Sequence, residues 1–177
     1  MKIIVIGMDN TGKSTLCEQL SKELNLEHLH SLGYKPPREH LLAFMGYNLV
    51  NDKDVIFERF SYFDEIIYGP VLREESKFDL DDDFYMTIYR ENPKIIYCRP
   101  PRKVIFNWGE REQMEGIIDN SVELLSRWDS LAELLKMDGF DIIHYDYTRE
   151  NISDLIGELK DGDNLGTLHK TTSRKRT

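Results

Sequence analysis

A short apolar run that leads into a glycine-bounded loop constrains the fold of this chain more than any other feature. Residues Ile3–Ile6 are apolar and favour a buried strand, and Ser14–Leu24 repeats apolar side chains at helical spacing. The loop between them, Gly7-Met8-Asp9-Asn10-Thr11-Gly12-Lys13-Ser14, fits the pattern G-x-x-x-x-G-K-[ST]. Since a strand, this loop and a helix form one βα unit, the motif predicts an α/β fold.

The chemistry of the loop follows from its residue types. Glycines let successive backbone N–H groups turn inward around a phosphate, and the following helix start adds the positive end of its dipole. Lys13 is expected to reach the outer phosphates, and the Ser14 hydroxyl to bind Mg²⁺. The residues predicted to bind ATP are Gly7, Asn10, Thr11, Gly12, Lys13, Ser14 and Thr15. Such a P-loop indicates a nucleoside triphosphate but leaves the reaction open.

Strand and helix signals alternate along the rest of the chain. The further strand-like runs are Leu26–His30, Val55–Phe57, Lys94–Tyr97 and Phe140–His144. The further helical segments are Arg38–Val50, Phe63–Glu75, Asp81–Arg90, Glu115–Met137 and Asn151–Leu159. This alternation predicts a three-layer α/β fold, in which helices flank a central parallel sheet of about five strands. Residues 1–160 are expected to form one domain, and the composition of 161–177 predicts a mobile, basic tail.

The charge balance argues against a large polyanionic partner. The chain has a formal net charge of −9, with four cations near the C-terminus at Lys170, Arg174, Lys175 and Arg176. Residues 1–169 therefore carry 19 basic and 32 acidic side chains, a formal charge of −13. Such a body repels a nucleic-acid backbone, so we do not expect a nucleic-acid partner. Small phosphorylated ligands, bound by a few Arg and Lys side chains, are still compatible with this charge.

Cysteine usage and hydropathy bear on localisation. Cys17 and Cys98 have neither disulfide nor metal-ligand spacing, which is typical of a reducing compartment. The apolar start at Ile3–Ile6 is too short for a signal peptide, and no apolar stretch approaches the ~20 residues needed to cross a bilayer. We therefore expect a cytoplasmic protein without a membrane partner; for a phage protein this would be the host cytoplasm.

The reaction class can be narrowed by elimination. GTPases need an Asn-Lys-x-Asp signature after a later strand, whereas Asn51-Asp52-Lys53-Asp54 is out of pattern and precedes a strand. Motor ATPases and helicases use more chain for coupling than 177 residues allow. These exclusions favour a small kinase.

A second group of candidate residues follows the strand predicted at Val55–Phe57. Glu58 and Arg59 would lie at its carboxyl end, the edge where parallel α/β sheets bind ligands. Arg59 offers a planar fork that matches a phosphate, and Glu58 could hold Mg²⁺ through water. The alternative is a surface ion pair at the end of a strand.

Residues 107–116 lie between the strand Lys94–Tyr97 and the long helical segment, which is where small nucleotide kinases close a lid over the phosphates. This resemblance to small kinases implies a lid here. Arg111 is the only cation in this segment, and a cation brought in by lid closure would neutralise charge during phosphoryl transfer. Arg99 and Arg102 are rival candidates for this role. The alternative for Arg111 is an i,i+4 ion pair with Glu115 on a solvated helix face.

Two motifs together resemble a known family. Gly7-Met8-Asp9 in the loop, followed by Glu58-Arg59-Phe60, resembles the thymidylate kinase family of nucleoside monophosphate kinases. The string Tyr68–Arg73, "YGPVLR", further resembles small, phage-type members. The resemblance covers residues 1–160. Two positions depart from the family pattern: Glu58 stands where Asp is usual, and Asn10-Thr11 where glycine is usual.

The resemblance implies roles for particular residues. Asp9 would approach the deoxyribose 3′-hydroxyl, and Arg59 would hold the acceptor monophosphate. Arg73 would read the base edge of a pyrimidine, and Phe60 would line the base pocket, with Tyr62 as its alternative. The implied reaction is Mg²⁺-dependent transfer of the γ-phosphoryl group of ATP to a deoxynucleoside 5′-monophosphate, dTMP or a related pyrimidine. Lys13, Arg59 and Arg111 would act on the transferring group, and a homodimer is an expectation from the family alone.

Other interpretations stay open at this point. Glu58-Arg59 also faintly resembles the Glu-Arg-Ser motif of deoxynucleoside kinases, with Phe60 interrupting it before Ser61. Such an enzyme phosphorylates a hydroxyl and usually needs a carboxylate base. A non-catalytic nucleotide-binding regulator is the third alternative. His28 and His30 alternate on a weak strand without a third ligand nearby in sequence, so packing and surface roles are expected for them.

Overall fold

Five parallel strands form the centre of the computed structural model, which describes residues 1–109 and 113–161. The strands are β1 (Lys2–Ile6), β2 (Glu27–His30), β3 (Val55–Glu58), β4 (Lys94–Cys98) and β5 (Ile142–Tyr145). They lie in the order β2-β3-β1-β4-β5, and every neighbouring pair is parallel. The predicted α/β fold with a parallel, five-stranded sheet is confirmed.

Helices connect the strands and cover the sheet. They are α1 (Lys13–Leu24), α2 (Arg38–Val50), α3 (Ser61–Leu72), α4 (Asp83–Glu91), α5 (Arg102–Ile105) and α6 (Ser121–Met137). A further helical segment runs over 152–161. Parallel neighbours need crossover connections, which these helices provide. Within the described ranges, no helix has the length and apolarity needed to cross a membrane.

Both faces of the sheet are buried, as expected for parallel strands. Alternate residues of β1 point to opposite faces. Ile4 and Ile6 pack in a cluster that includes Trp128 of α6. Ile3 and Val5 pack on the other face, in a cluster with side chains of α1 and of the segment 152–161. The near-continuous apolar run of β1 is thus explained by burial on two sides.

Several element boundaries differ from the sequence prediction; α3, for example, runs over Ser61–Leu72 rather than Phe63–Glu75. Helix α6 begins at Ser121 rather than Glu115, because Gly116 has φ +81° in the left-handed region and residues 115–120 form turns. Strand β5 begins at Ile142 rather than Phe140, because the Phe140 N–H donates to the Leu135 carbonyl at 3.0 Å and so caps the end of α6. The short helix α5 was not predicted. These differences leave the order of the strands unaffected.

The carboxyl ends of three neighbouring strands meet at one edge of the sheet. β1 runs into the glycine loop, β3 ends at Glu58, and β2 ends at His30. In the strand register Glu58 is paired with Val5 on one side and with His30 on the other. Glu58 therefore lies between the glycine loop and the end of the edge strand.

Candidate active site

The glycine loop has a backbone conformation that its two glycines require. Gly7 has φ +132°, and a Cβ built there would lie 2.7 Å from the Cys98 carbonyl oxygen. Gly12 has φ +82°, and a Cβ there would lie 2.9 Å from Cδ1 of Tyr147. Asn10 has φ 62°, a value that Asn tolerates better than most residues. Asn10 can therefore hold the loop in this conformation without a glycine at its position.

Hydrogen bonds from two short side chains, Asn10 and Thr11, stabilise the loop. The Asn10 amide donates to the carbonyl oxygens of Val104, Ile105 and Asn107, at 3.2, 2.8 and 3.0 Å. The Thr11 hydroxyl donates to the Met8 carbonyl at 2.8 Å. The Asn10 bonds join the loop to the end of α5 and to Asn107, the first residue of the predicted lid.

Lys13 is buried beneath the loop. Its ammonium group donates to the Met8 carbonyl and lies 3.3 Å from the Thr11 hydroxyl oxygen. Burial, followed by the charge of nearby Arg59, lowers the pKa of Lys13 to about 8. A phosphate anion at the loop would counter both effects, so Lys13 is suited to bind one.

Ser14 and Glu58 meet next to the loop. The Ser14 hydroxyl donates to Oε1 of Glu58. The second carboxylate oxygen, Oε2, lies 2.9 Å from Nε2 of His28 and 3.1 Å from Nδ1 of His30. A hydroxyl and a carboxylate are hard oxygen donors of the kind that Mg²⁺ prefers, so the predicted magnesium ligands lie together.

A cavity of ≈ 300 Å³ opens beside the loop and the start of α1. Its lining residues are Asn10, Gly12, Thr15, Leu16, Gln19, Tyr145 and Tyr147. The Tyr147 ring lies against Gly12, within contact distance of any side chain that would replace it. An aromatic ring beside a phosphate-binding loop can stack on a nucleobase. Three of the predicted ATP-binding residues, Asn10, Gly12 and Thr15, line this cavity.

A second cavity of ≈ 340 Å³ lies on the other side of the loop. Its lining residues are Asp9, Ser31, Gly33, Tyr34, Arg59, Ser61, Asp64, Glu65, Tyr68, Arg73, Gln113, Met114 and Ile117. Asp9 belongs to the glycine loop, yet its side chain faces this cavity. The loop therefore forms a wall of both cavities.

Asp9, Arg59 and Tyr68 form a charged cluster at the inner end of the second cavity. One oxygen of the Asp9 carboxylate pairs with Nη2 of Arg59, and the other accepts a 2.7 Å hydrogen bond from the Tyr68 hydroxyl. Burial alone would raise the pKa of Asp9, but Arg59 and Lys13 hold it below its ordinary value. Burial likewise opposes the charge of Arg59, but Asp9 and Asp64 raise its pKa above the ordinary value. Both groups are therefore ionised.

The backbone at Arg59 has an uncommon conformation. Its φ of 65° is left-handed, which costs an L-residue on the order of 1 kcal/mol. The strand ends at Glu58 and α3 begins at Ser61, so Arg59 occupies a tight connection between them. This connection directs the Arg59 guanidinium away from the sheet and toward the loop. There it pairs with the Asp9 carboxylate.

Glu65, Arg73 and Tyr34 form a second charged group in the cavity. Nη2 of Arg73 donates to Oε1 of Glu65 at 2.7 Å, and the guanidinium lies 4.5 Å from the centre of the Tyr34 ring. The side chain of Glu65 is only 4% exposed, and that of Arg73 is 23% exposed. This pair presents both hydrogen-bond donors and acceptors to the cavity.

Asp64 is a cavity residue that the sequence analysis missed. Burial raises its pKa to about 6, although Arg59 and Lys13 act in the opposite direction. Asp64 and Tyr68 lie four residues apart in α3, and Glu65 is adjacent to Asp64. A polar stripe at helical spacing in an otherwise apolar helix was the available signal. Asp64 adds a carboxylate with a pKa near neutrality to the cavity.

The remaining predicted site residues lie elsewhere. Phe60 is buried in an aromatic cluster with Phe57 and Phe63, and it does not line the cavity. Arg111 lies outside the described residues. Arg99 pairs with Asp129 of α6 through two bonds of 2.7 and 3.0 Å. The structure thus brings together Lys13, Ser14, Glu58, Asp9, Arg59 and Arg73.

Comparison with known proteins supports the fold more strongly than any one activity. No protein-family model matches the chain. Over 146 residues, 71% of this chain, the sequence is 27% identical to a putative adenylate kinase of Sulfurisphaera tokodaii. The match spans 66% of that relative, so the chain accounts for slightly less than two thirds of its length.

Several solved structures share the architecture. The YorR protein of Bacillus subtilis, solved with phosphorylated GDP, has a TM-score of 0.73 and 19% identity, covering 94% of this chain and 98% of its own. A deoxyadenosine kinase from M. mycoides, solved with the products dCMP and a flexible dCDP, has a TM-score of 0.57 and 20% identity, covering 93% and 98%. A thymidylate kinase from Candida albicans has a TM-score of 0.56 and 11% identity, covering 94% and 92%. The chain has the P-loop nucleotide kinase fold.

Proposed function

We propose that this protein transfers the γ-phosphoryl group of ATP to a deoxynucleoside 5′-monophosphate. One observation carries the proposal: Asp9, a residue of the phosphate-binding loop, also lines a second cavity, where it pairs with Arg59. A donor loop and an anion-binding cavity that share one wall can hold two phosphorylated ligands against each other. Positioning of this kind supplies much of the catalysis in phosphoryl transfer.

The donor side would be held by the loop and the first turn of α1. Lys13 would bind the outer phosphates, and the backbone N–H groups of the loop would surround them. Ser14 and Glu58, which are in contact, would hold Mg²⁺, and the ion would neutralise charge on the transferring group. Tyr147, beside Gly12, would lie against the ATP base.

The acceptor side would be held by Arg59. A monophosphate oxygen is already anionic near neutral pH, so the site needs to position it and neutralise its charge rather than remove a proton. The Arg59 guanidinium, now paired with Asp9, can share its remaining donors with a phosphate. Glu65 and Arg73 would face the edge of the acceptor base, where Glu65 can accept a hydrogen bond and the Arg73 guanidinium can donate. The preference for a pyrimidine, dTMP in particular, is a prediction from the sequence resemblance.

The known relatives support phosphoryl transfer from a nucleotide, without distinguishing a monophosphate acceptor from a nucleoside. The aligned relative is named a putative adenylate kinase, and the M. mycoides structure contains dCMP and dCDP as products. These names belong to those proteins. For this chain they support a nucleotide kinase and leave the acceptor base to experiment.

Asp64 favours a second candidate, a deoxynucleoside kinase. Phosphorylation of a 5′-hydroxyl needs a base, and a carboxyl group with a pKa of about 6 in the acceptor cavity is suited to that task. The two candidates differ in what Asp64 contributes. Replacement of Asp64 by Asn would abolish nucleoside phosphorylation but would leave monophosphate phosphorylation largely intact.

An ADP-release assay with a panel of acceptors tests the proposal. The panel contains dTMP, dUMP, dCMP, dGMP, dAMP and the corresponding free nucleosides, each with ATP and Mg²⁺. We expect turnover with at least one monophosphate and none with nucleosides. Turnover with nucleosides alone would support the second candidate. ATP binding without turnover on any acceptor would instead indicate a nucleotide-binding regulator.

Variants of Arg59 test the acceptor assignment. Arg59→Ala removes the cation, and we expect the KM for the monophosphate to rise by ~10²-fold, in the range for a lost charge-assisted hydrogen bond. Arg59→Lys keeps the charge but loses the planar fork, so it should recover only part of this loss. Arg127→Ala is the control, since Arg127 forms an exposed ion pair with Glu123 on α6. An unchanged acceptor KM in Arg59→Ala would show that the phosphate binds elsewhere.

A further inference from the structure

His28, His30 and Glu58 come together at the edge of the sheet, although they are far apart in sequence. His28 and His30 are two residues apart on β2, so their side chains lie on the same face of the sheet. Strand pairing places His30 opposite Glu58 of β3. The two imidazole rings have centroids 4.3 Å apart and are tilted by 34°. Strand register therefore supplies the third side chain that the sequence spacing did not reveal.

The two distances from Glu58 to the histidines match those between ligands on one metal ion. Oε2 of Glu58 lies 2.9 Å from Nε2 of His28 and 3.1 Å from Nδ1 of His30. All three ligand atoms lie within 4.8 Å of one another. Two ligand atoms held at ~2.1 Å from one ion, at angles near 90–110°, are themselves ~3.0–3.4 Å apart. An ion could enter with little rearrangement of the three side chains.

We infer that His28, His30 and Glu58 form a binding site for a divalent transition-metal ion such as Zn²⁺. Two imidazole nitrogens and one carboxylate oxygen suit Zn²⁺, Mn²⁺, Fe²⁺ or Co²⁺, whereas Mg²⁺ prefers oxygen ligands alone. The site is therefore chemically distinct from the pair of oxygen donors at Ser14 and Glu58. Its nitrogen ligands select against the ion that would accompany ATP.

The burial of the three side chains fits an open metal site. His28 is 17% exposed and Glu58 is 11% exposed, so strand packing fixes both. His30 is 72% exposed and forms the outer side of the site. Water can approach from that side and complete the coordination of the ion. Three protein ligands with an accessible further position are the arrangement of reactive rather than purely structural zinc sites.

Glu58 links this site to the phosphate-binding loop. Its Oε2 faces the two histidines, while its Oε1 accepts the hydrogen bond from Ser14. An ion bound to Oε2 would fix the orientation of the Glu58 carboxylate and partly neutralise its negative charge. Binding of an ion at the site would thus alter the hydrogen bond between Glu58 and Ser14.

Metal titration of the 177-residue protein tests the inference. The protein is prepared without an affinity tag, stripped with a chelator, and titrated with Zn²⁺ by calorimetry and with Co²⁺ by visible absorption. We expect one ion of Zn²⁺ or Co²⁺ per chain, not displaced by excess Mg²⁺. His30→Gln and His28→Gln should each weaken binding at least tenfold, since each removes a ligand. The assay requires no turnover, so its failure would leave the proposed kinase activity untouched.

Two control variants localise the ion. His40→Gln removes an exposed imidazole on α2, and His169→Gln removes one outside the described residues; both should bind Zn²⁺ as the parent does. His30 is the decisive position, because its exposed side chain can be replaced without disturbing the core. Absence of stoichiometric binding, or equal affinity in His30→Gln and the parent, would overturn the inference and leave a hydrogen-bonded His–Glu–His group.

Discussion

The glycine loop and the second cavity, which we propose bind ATP and the acceptor, hold charge in different ways. The loop is one continuous segment, Gly7–Ser14, whose hydrogen bonds run mainly to backbone carbonyls, as from Thr11 to Met8. The acceptor cavity is assembled from side chains of separate segments and contains two ion pairs, Asp9–Arg59 and Glu65–Arg73. The first site is made by backbone shape, and the second by opposed charges.

Because of this difference, we expect the loop to contribute affinity for any phosphorylated ligand and the cavity to discriminate among acceptors. Backbone N–H groups and one lysine recognise phosphate, which every nucleoside triphosphate contains. The cavity instead offers fixed donors and acceptors, and a ligand that leaves any of them unpaired pays a desolvation penalty. We therefore expect changes in the loop to affect all substrates alike, and changes in the cavity to affect them unequally.

Lys13→Met should have the largest effect on activity. Loss of this cation removes a preorganised electrostatic contact to the transferring group, so we expect kcat to fall by ~10²–10³ with every acceptor. The fold should not suffer, because burial already disfavours the charged form of Lys13 and lowers its pKa to about 8. Steady-state kinetics and urea unfolding measure the two effects separately.

The control for this variant lies on the same helix. Lys22 is exposed near the end of α1, and Lys22→Met should leave both kcat and the free energy of unfolding near the parent values. If Lys13→Met slowed one acceptor and spared another, the loop would itself select the acceptor. The contrast between loop and cavity would then be wrong.

Arg73→Met should destabilise the fold and alter selectivity while sparing ATP binding. It leaves the buried Glu65 carboxylate unpaired, which costs about 3 kcal/mol for pairs of this kind. The double variant Glu65→Gln/Arg73→Met should recover most of that loss, since neither partner is then left charged. The exposed pair Glu123–Arg127 is the matched control, with side chains 53% and 41% exposed. Breaking it should cost only ~0.3–0.5 kcal/mol.

Urea unfolding and the acceptor panel measure this second prediction. The relative kcat/KM among the monophosphates should change in Arg73→Met, while the affinity for ATP should stay within twofold of the parent. A uniform loss over all acceptors would indicate that Arg73 supports the fold without reading the base.

The sequence predicted the parts of the molecule that are local. The loop could be predicted because its eight residues are contiguous and the positive φ values of Gly7 and Gly12 are a property of the segment itself. The parallel sheet could be predicted because most of its strands are short apolar runs; β2, Glu27–His30, is the exception. The single domain over 1–160, the basic tail and the homodimer stay predictions.

The parts that depend on long-range neighbours could not be predicted. Asp64 lies on a polar stripe of α3 that the sequence shows, but a polar stripe is usually a solvated face, and only the packing of α3 places Asp64 and Glu65 in a cavity. The grouping of His28 and His30 with Glu58 requires the pairing of β2 with β3, about 30 residues apart. Phe60 was assigned to the base pocket by motif position, but the turn at Arg59 directs it into the core.

Asp64 provides the smallest and most direct test of charge in the cavity. Burial raises its pKa to about 6 in the folded protein, whereas an unfolded chain has ~3.9. Between these values the folded state binds more protons than the unfolded state, so stability falls as pH rises from about 4 to about 6. In Asp64→Asn this contribution is absent. The variant should gain stability relative to the parent across that window, by roughly 2–3 kcal/mol at pH 7 compared with pH 4.

Urea unfolding of the parent and of Asp64→Asn at a series of pH values measures this difference, provided that the slope with denaturant is the same for both. Asp81→Asn, which removes an exposed carboxyl group before α4, is the control for loss of an acid in general. A stability difference that stays flat with pH, or falls, would mean that Arg59 and Lys13 outweigh burial at Asp64. The cavity would then hold its carboxylates fully ionised, and the case for Asp64 as a base near neutral pH would be lost together with the second candidate function.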